Sequence, residues 1–100
     1  MKILCIHAHF DDYEFVAGGT FELLRRQLGD SLQAKILVCT DGSAGHHAMT
    51  LAETAKVRFS EQEASAKAGG YEFEQLKLPN GAAPREACLR VSVDLLAALW

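Results

Sequence analysis

Cysteine, proline and tryptophan are scarce in this 100-residue chain, with three, two and one respectively. The cysteines, Cys5, Cys39 and Cys88, are odd in number and show no C-x-x-C spacing. That excludes a disulfide framework and a zinc finger and marks them as reduced core thiols. No apolar run approaches the roughly 20 residues of a membrane-spanning helix. The opening Ile3-Leu4-Cys5-Ile6 passes straight into His7, without the longer apolar core and small-residue cleavage site of a signal peptide. Excess positive charge is missing too: ten Lys plus Arg against thirteen Asp plus Glu give a net charge of −3, which is no footprint for gripping a phosphate backbone. Neither G-x-G-x-x-G nor G-x-x-x-x-G-K-[ST] occurs, so a nucleotide-binding module has no support beyond Gly42 and Gly45. The expectation is a cytoplasmic protein with no nucleic-acid partner and no membrane segment. Nothing in the sequence signals an oligomeric state.

What is present reads as alternating strands and helices. Lys2-Ile3-Leu4-Cys5-Ile6 is a short apolar run ending at a polar cluster, the pattern of a strand buried on both faces. After Gly18-Gly19-Thr20, the residues Phe21, Leu23, Leu24 and Leu28 recur at helical spacing, with Gly29 in the stop position. Gln33 to Thr40 repeats the strand pattern and empties into the turn residues Asp41-Gly42-Ser43-Ala44-Gly45. Residues 50–68 are rich in helix formers and end at Gly69-Gly70. Residues 71–78 alternate apolar and charged side chains, as an edge strand does, and Pro84 opens a last helical pattern through Leu99. The order β-α-β-α-β-α predicts an α/β fold, a Rossmann-like three-layer parallel sheet represented by its first three β-α units. Three strands are about half of such a domain, and the last pattern has no stop signal, so residues 1–100 are expected to be the N-terminal portion of a single domain.

Ligands of a doubly wound sheet lie at the carboxyl ends of its strands. His7-Ala8-His9-Phe10-Asp11-Asp12 follows the first strand, and Thr40 to His47 follows the second. An imidazole beside two carboxylates suits a divalent metal, because both groups ligate zinc well. His9 and one Asp can reach the same ion while the neighbouring Asp points elsewhere and is free to take a proton.

These residues resemble a family. His9-Phe10-Asp11-Asp12-Tyr13-Glu14 with Ala17-Gly18-Gly19-Thr20 is similar to the A-H-P-D-D-x-E…G-G-T opening of the PIG-L/LmbE-like zinc-dependent de-N-acetylases. Thr40-Asp41-Gly42-Ser43-Ala44-Gly45 resembles the family's T-x-G-x-x-G loop, Arg58-x-x-Glu61 its R-x-x-E helix, and Leu78-Pro79-Asn80-Gly81 its L-P-D-G turn. The resemblance implies that His9 and Asp12 are zinc ligands, that Asp11 is the general base and that Arg58 contacts substrate hydroxyls. It implies hydrolysis of an N-acetyl group from a small N-acetylglucosamine-type sugar conjugate, with zinc or another divalent ion as cofactor. The family's third ligand, a histidine in an H-x-D-H block, belongs after a fourth strand and is not among these 100 residues. Phe10 replaces the motif's proline, which removes a fixed φ and is expected to loosen the turn.

The blander readings stay beside this one. His7 reads as a packed imidazole or one that orients a ligand, His46 and His47 as solvated loop residues, and Arg58 as a helix-surface arginine. An alternative for the chain as a whole is a truncated metal- or ligand-binding Rossmann-like module without activity. A phosphoryl-accepting receiver domain would need an Asp at the end of the third strand, where Leu76-Lys77-Leu78 stands.

Overall fold

A computed structural model describes residues 1–78. The expected last helix from Pro84, the Pro79-Asn80-Gly81 turn and Cys88 lie outside the described residues. Three strands, β1 (Lys2–His7), β2 (Gln33–Thr40) and β3 (Glu72–Leu78), form one parallel sheet in the order β1-β2-β3. Helices α1 (Asp12–Val16) and α2 (Gly18–Leu28) connect the first two strands, and α3 (Leu51–Gly69) connects the last two. The α/β class and the parallel sheet are as expected.

Parallel strands laid down in sequence order by right-handed crossovers place their helices on one face. The core agrees. Phe21 of α2 and Ala66 of α3 share one cluster with Phe10, Tyr13, Ile36, Val38 and Tyr71, with Ile3, Cys5 and Phe73 packed against it. The described residues therefore form two layers, and the second helical layer of the expected three is not among them.

β2 is the central strand, and its Ile36, Leu37 and Val38 are fully buried. β1 departs from expectation: no residue of it is buried and Ile6 is 44% exposed. Among the described strands it pairs only with β2, so half of its surroundings is missing. Burial pushes the Cys5 thiol above its ordinary pKa, and Cys5 and Cys39, both partly buried, form no disulfide among the described residues.

Glycines and a cap delimit the helices. α2 ends at Gly29, whose φ is 53°. α3 starts with a capping box, in which Glu53 N donates to Thr50 Oγ1 (3.2 Å) and Thr50 N donates to Glu53 Oε2 (2.9 Å). Those bonds from Thr50 hold the Glu53 carboxyl below its usual pKa.

α3 turns an unusual face inward. Thr54, Gln62 and Ala66 are buried and Arg58 is half-buried, so the packed stripe recurs every four residues and is mostly polar. The stripe bonds across the interface with α1, although Gln62 Oε1 is buried with no partner among the described residues. Gln62 Nε2 donates to Glu14 Oε1 (3.2 Å) and to the Tyr71 hydroxyl (2.7 Å), Tyr71 donates to Ser65 Oγ (2.8 Å), and Ser65 donates to Glu14. Tyr13 meets Phe21 and Tyr71 edge-on at ring-centroid separations of 5.0 and 4.6 Å, contacts worth about 0.5–1.5 kcal/mol each beyond area burial. Burial raises the hydroxyl pKa of both tyrosines. This layer fixes α1, whose first residue is Asp12 of the site.

Candidate metal and catalytic site

The strand-to-helix turn after β1 is closed by side chains acting on its backbone. Thr40, the last residue of β2, donates from both N (3.0 Å) and Oγ1 (2.8 Å) to the Ala8 carbonyl. His7 Nδ1 lies 2.6 Å from the His9 carbonyl oxygen, and His9 N donates to Asp12 Oδ2 at 3.0 Å. Asp11 has φ 75°, the only positive φ outside glycine among the described residues. Asp visits this left-handed region more readily than most residues, but at a cost on the order of 1–3 kcal/mol. It precedes the first residue of α1 without making a side-chain cap bond. The consequence is that Asp11 and Asp12 diverge.

Asp12 turns toward His9. Its Oδ2 is 3.9 Å from His9 Nδ1, with both side chains about half exposed. Two donors of one tetrahedral zinc ion stand about 3.3–3.6 Å apart when each bond is about 2.0–2.2 Å. The pair is thus within a few tenths of an ångström of sharing an ion, and its donor set suits zinc. No group of three or more His, Cys, Asp or Glu side chains among the described residues is arranged to hold a metal. The residues fit two positions of a site that normally takes three protein ligands.

Asp11 turns toward α3. Its Oδ2 accepts from Arg58 Nη1 at 2.6 Å, and the same nitrogen donates to Glu61 Oε2 at 3.0 Å. R-x-x-E spacing on a helix places Arg58 and Glu61 one turn apart, which accounts for that second pair. Arg58 is therefore drawn into the site, and Glu61, the glutamate of the R-x-x-E spacing, is what it leans on.

The loop after β2 forms the opposite wall. Ser43 N donates to Asp41 Oδ1 (2.9 Å), and Gly42, inside the resulting turn, has φ 67°. A Cβ on Gly42 would stand 2.6 Å from the Phe10 ring and 3.3 Å from Arg58 Cγ, so only glycine fits. Phe10 itself is buried. The Phe10 ring, in place of the motif's proline, supplies packing under the turn.

His46 and His47 are exposed, as expected of loop residues. His46 Nδ1 accepts from Ala48 N (3.0 Å) and Met49 N (3.2 Å), so its neutral ring carries the proton on Nε2 and folds its own loop. Glu14 belongs to the polar layer under α1 and does not reach the His9–Asp12 pair.

The family described as PIG-L, GlcNAc-PI de-N-acetylase, matches residues 4–99. No curated protein sequence matches the chain. Among solved structures, N,N'-diacetylchitobiose deacetylase from Pyrococcus horikoshii is similar at 27% identity and a TM-score of 0.80, over 92% of this chain and 34% of that one. A 4-carboxy-2-hydroxymuconate hydratase from Pseudomonas putida shares the fold at 22% identity and a TM-score of 0.71, over 83% of this chain and 36% of that one. The chain thus spans about a third of the length of each of these two structures.

Proposed function

Because the chain belongs to the PIG-L family of GlcNAc-PI de-N-acetylases, we propose that it supplies the base and two metal-binding side chains of an amidase acting on N-acetylglucosamine-type conjugates. In this proposal residues 1–100 are the N-terminal portion of a single deacetylase domain. The observation that carries it is the divergence of adjacent carboxylates, Asp12 to 3.9 Å from His9 and Asp11 to 2.6 Å from Arg58. The similar diacetylchitobiose deacetylase supports the choice of substrate class. A cytoplasmic location is part of the reading, and Cys5 and Cys39, which form no disulfide among the described residues, support it. Among the described residues no helix is long and apolar enough to cross a membrane.

His9 and Asp12 would hold zinc or another divalent ion. Such an ion supplies, when bound, a Lewis acid for the acetamide oxygen and for water near neutral pH. Asp11 accepts the proton of the attacking water and returns it to the amide nitrogen, because an amine leaves poorly unless protonated. Arg58 holds the Asp11 carboxylate in place, with Glu61 holding the guanidinium, and in this reading it meets the sugar hydroxyls. Acetate and a free amino sugar are the products.

The test combines elemental analysis of the purified protein with acetate release from N,N'-diacetylchitobiose, followed by proton NMR. Bound zinc and liberated acetate are expected; folded protein showing neither would end the reading. A second reading has one observation in its favour, the two-residue ligand set among the described residues. Zinc binding without acetate release would mark this chain alone as a metal-binding module.

A further inference from the structure

We propose that His7 is a positioning residue for the His9–Asp12 pair, gripping the backbone of the first proposed ligand; this rests on the metal-binding reading above. Side chains alternate along β1, so His7 follows Ile3 and Cys5 on the face turned to the helices. Its side chain is only 8% exposed. Nδ1 lies 2.6 Å from the His9 carbonyl oxygen. A carbonyl oxygen only accepts, so Nδ1 carries the proton and Nε2 the lone pair. Nε2 is buried and has no partner among the described residues.

A buried unpaired nitrogen is unfavourable. An aliphatic residue would fill this place in the core without that penalty. What histidine adds is the bond from Nδ1, and that bond completes a circuit. His9 is held at both ends of its backbone, its N–H by Asp12 Oδ2 at 3.0 Å and its carbonyl by His7. Asp12 Oδ2 in turn lies 4.0 Å from His7 Nδ1 and 3.9 Å from His9 Nδ1. The Asp12 carboxylate and the backbone that carries the His9 imidazole are therefore set relative to one another before any ion arrives. His7 is not itself a ligand in this arrangement, because its Nδ1, the nitrogen 4.0 Å from Asp12 Oδ2, carries the proton given to the carbonyl, and its Nε2 is buried. Outer residues that orient ligands commonly change metal affinity by about 10–100-fold when removed.

The experiment measures zinc affinity by competition with a chromophoric chelator, together with the visible spectrum of the cobalt-loaded protein, for the full chain and four variants. His7→Leu, checked for native circular dichroism, is expected to weaken zinc binding by about 10–100-fold and to alter the cobalt spectrum. His7→Asn places an amide donor at the δ position and should recover most of that loss. His7→Gln places it at the ε position and should not. Equal affinities for the Asn and Gln variants would overturn the proposal even if His7→Leu fails to fold, and so would wild-type affinity in folded His7→Leu. His9→Ala separates the two levels: its loss of zinc beside an unaffected His7→Leu sinks only the positioning role. Absence of zinc binding by the unaltered chain, or its persistence in His9→Ala, sinks the metal reading and the proposal together.

Discussion

Three carboxylates, Asp11, Asp12 and Glu14, stand within four residues of one another and have opposite fates. The first two face the open end of the sheet and are left to an imidazole and a guanidinium. Glu14 is drawn under α1, where Gln62 and Ser65 donate to it. The difference follows from backbone direction. The left-handed residue at position 11 splits the acidic pair, and the first helical turn carries position 14 toward α3. Equal charge at neighbouring positions says little about role; what each charge meets decides it.

The sharpest way to break the contrast is to neutralise each group in turn. Asp12→Ala and His9→Ala are expected to weaken zinc binding by at least about 100-fold, more than the loss usual for outer residues. Glu14→Gln should leave zinc affinity unchanged and lower stability by about 0.5–1.5 kcal/mol, the worth of an ordinary hydrogen bond. Calorimetric titration and thermal unfolding read the two effects separately, and a zinc defect in Glu14→Gln would erase the distinction.

Asp11→Asn is expected to lower kcat for acetate release by about 10²–10⁴, the contribution typical of a positioned general base. Stability should hold, because Asn tolerates the left-handed region well. Intact activity in this variant would remove Asp11 from the chemistry.

A smaller effect lies in the loop that walls the site. Gly42→Ala should lower stability by about 1–3 kcal/mol, since it meets both a positive φ and the Phe10 ring. Gly19, in helical conformation with open space at its Cβ position, should instead gain about 0.5–1 kcal/mol on change to Ala. Urea unfolding of the two variants tests the opposite signs.

The smallest expected effect concerns the tyrosines beneath α1. Their pKa values are raised by burial, so the folded state holds the protonated form more tightly than the unfolded chain does. That stability is fully present below the ordinary tyrosine value near 10 and is lost as pH rises through the folded values. Melting temperature followed upward from pH 9 should fall less steeply in Tyr71→Phe than in the unaltered protein.

Much of the framework was legible because local signals agreed with the fold. β2 spans Gln33–Thr40 as its apolar run indicated, and α2 stops at Gly29 as its glycine indicated. β1 misled because an apolar run reports affinity for burial, not the number of neighbours a strand acquires. α1 escaped notice since five residues hold too little periodicity to stand out. The buried face of α3 was invisible to hydropathy, being Thr54, Arg58, Gln62 and Ala66. In the site, the nearness of His9 and Asp12 could be argued from spacing, but the Asp11–Arg58 pair joins positions 47 residues apart and needs the tertiary fold. Thr50-x-x-Glu53 was a readable cap signal. Nothing local announced that Thr40 would clasp the Ala8 carbonyl.

β1 stands at the margin of the described sheet, and this bears on where a completing ligand could come from. Strands in a sheet are spaced about 4.8 Å apart. A loop leaving a further parallel strand docked along that margin would emerge one spacing from His9 and Asp12. One arriving from beyond β3 would have roughly three spacings, about 14 Å, to traverse. An inserted strand on the β1 flank is the economical route to a closed coordination sphere, and the two-stranded distance to β3 makes that opposite flank a poor origin for it.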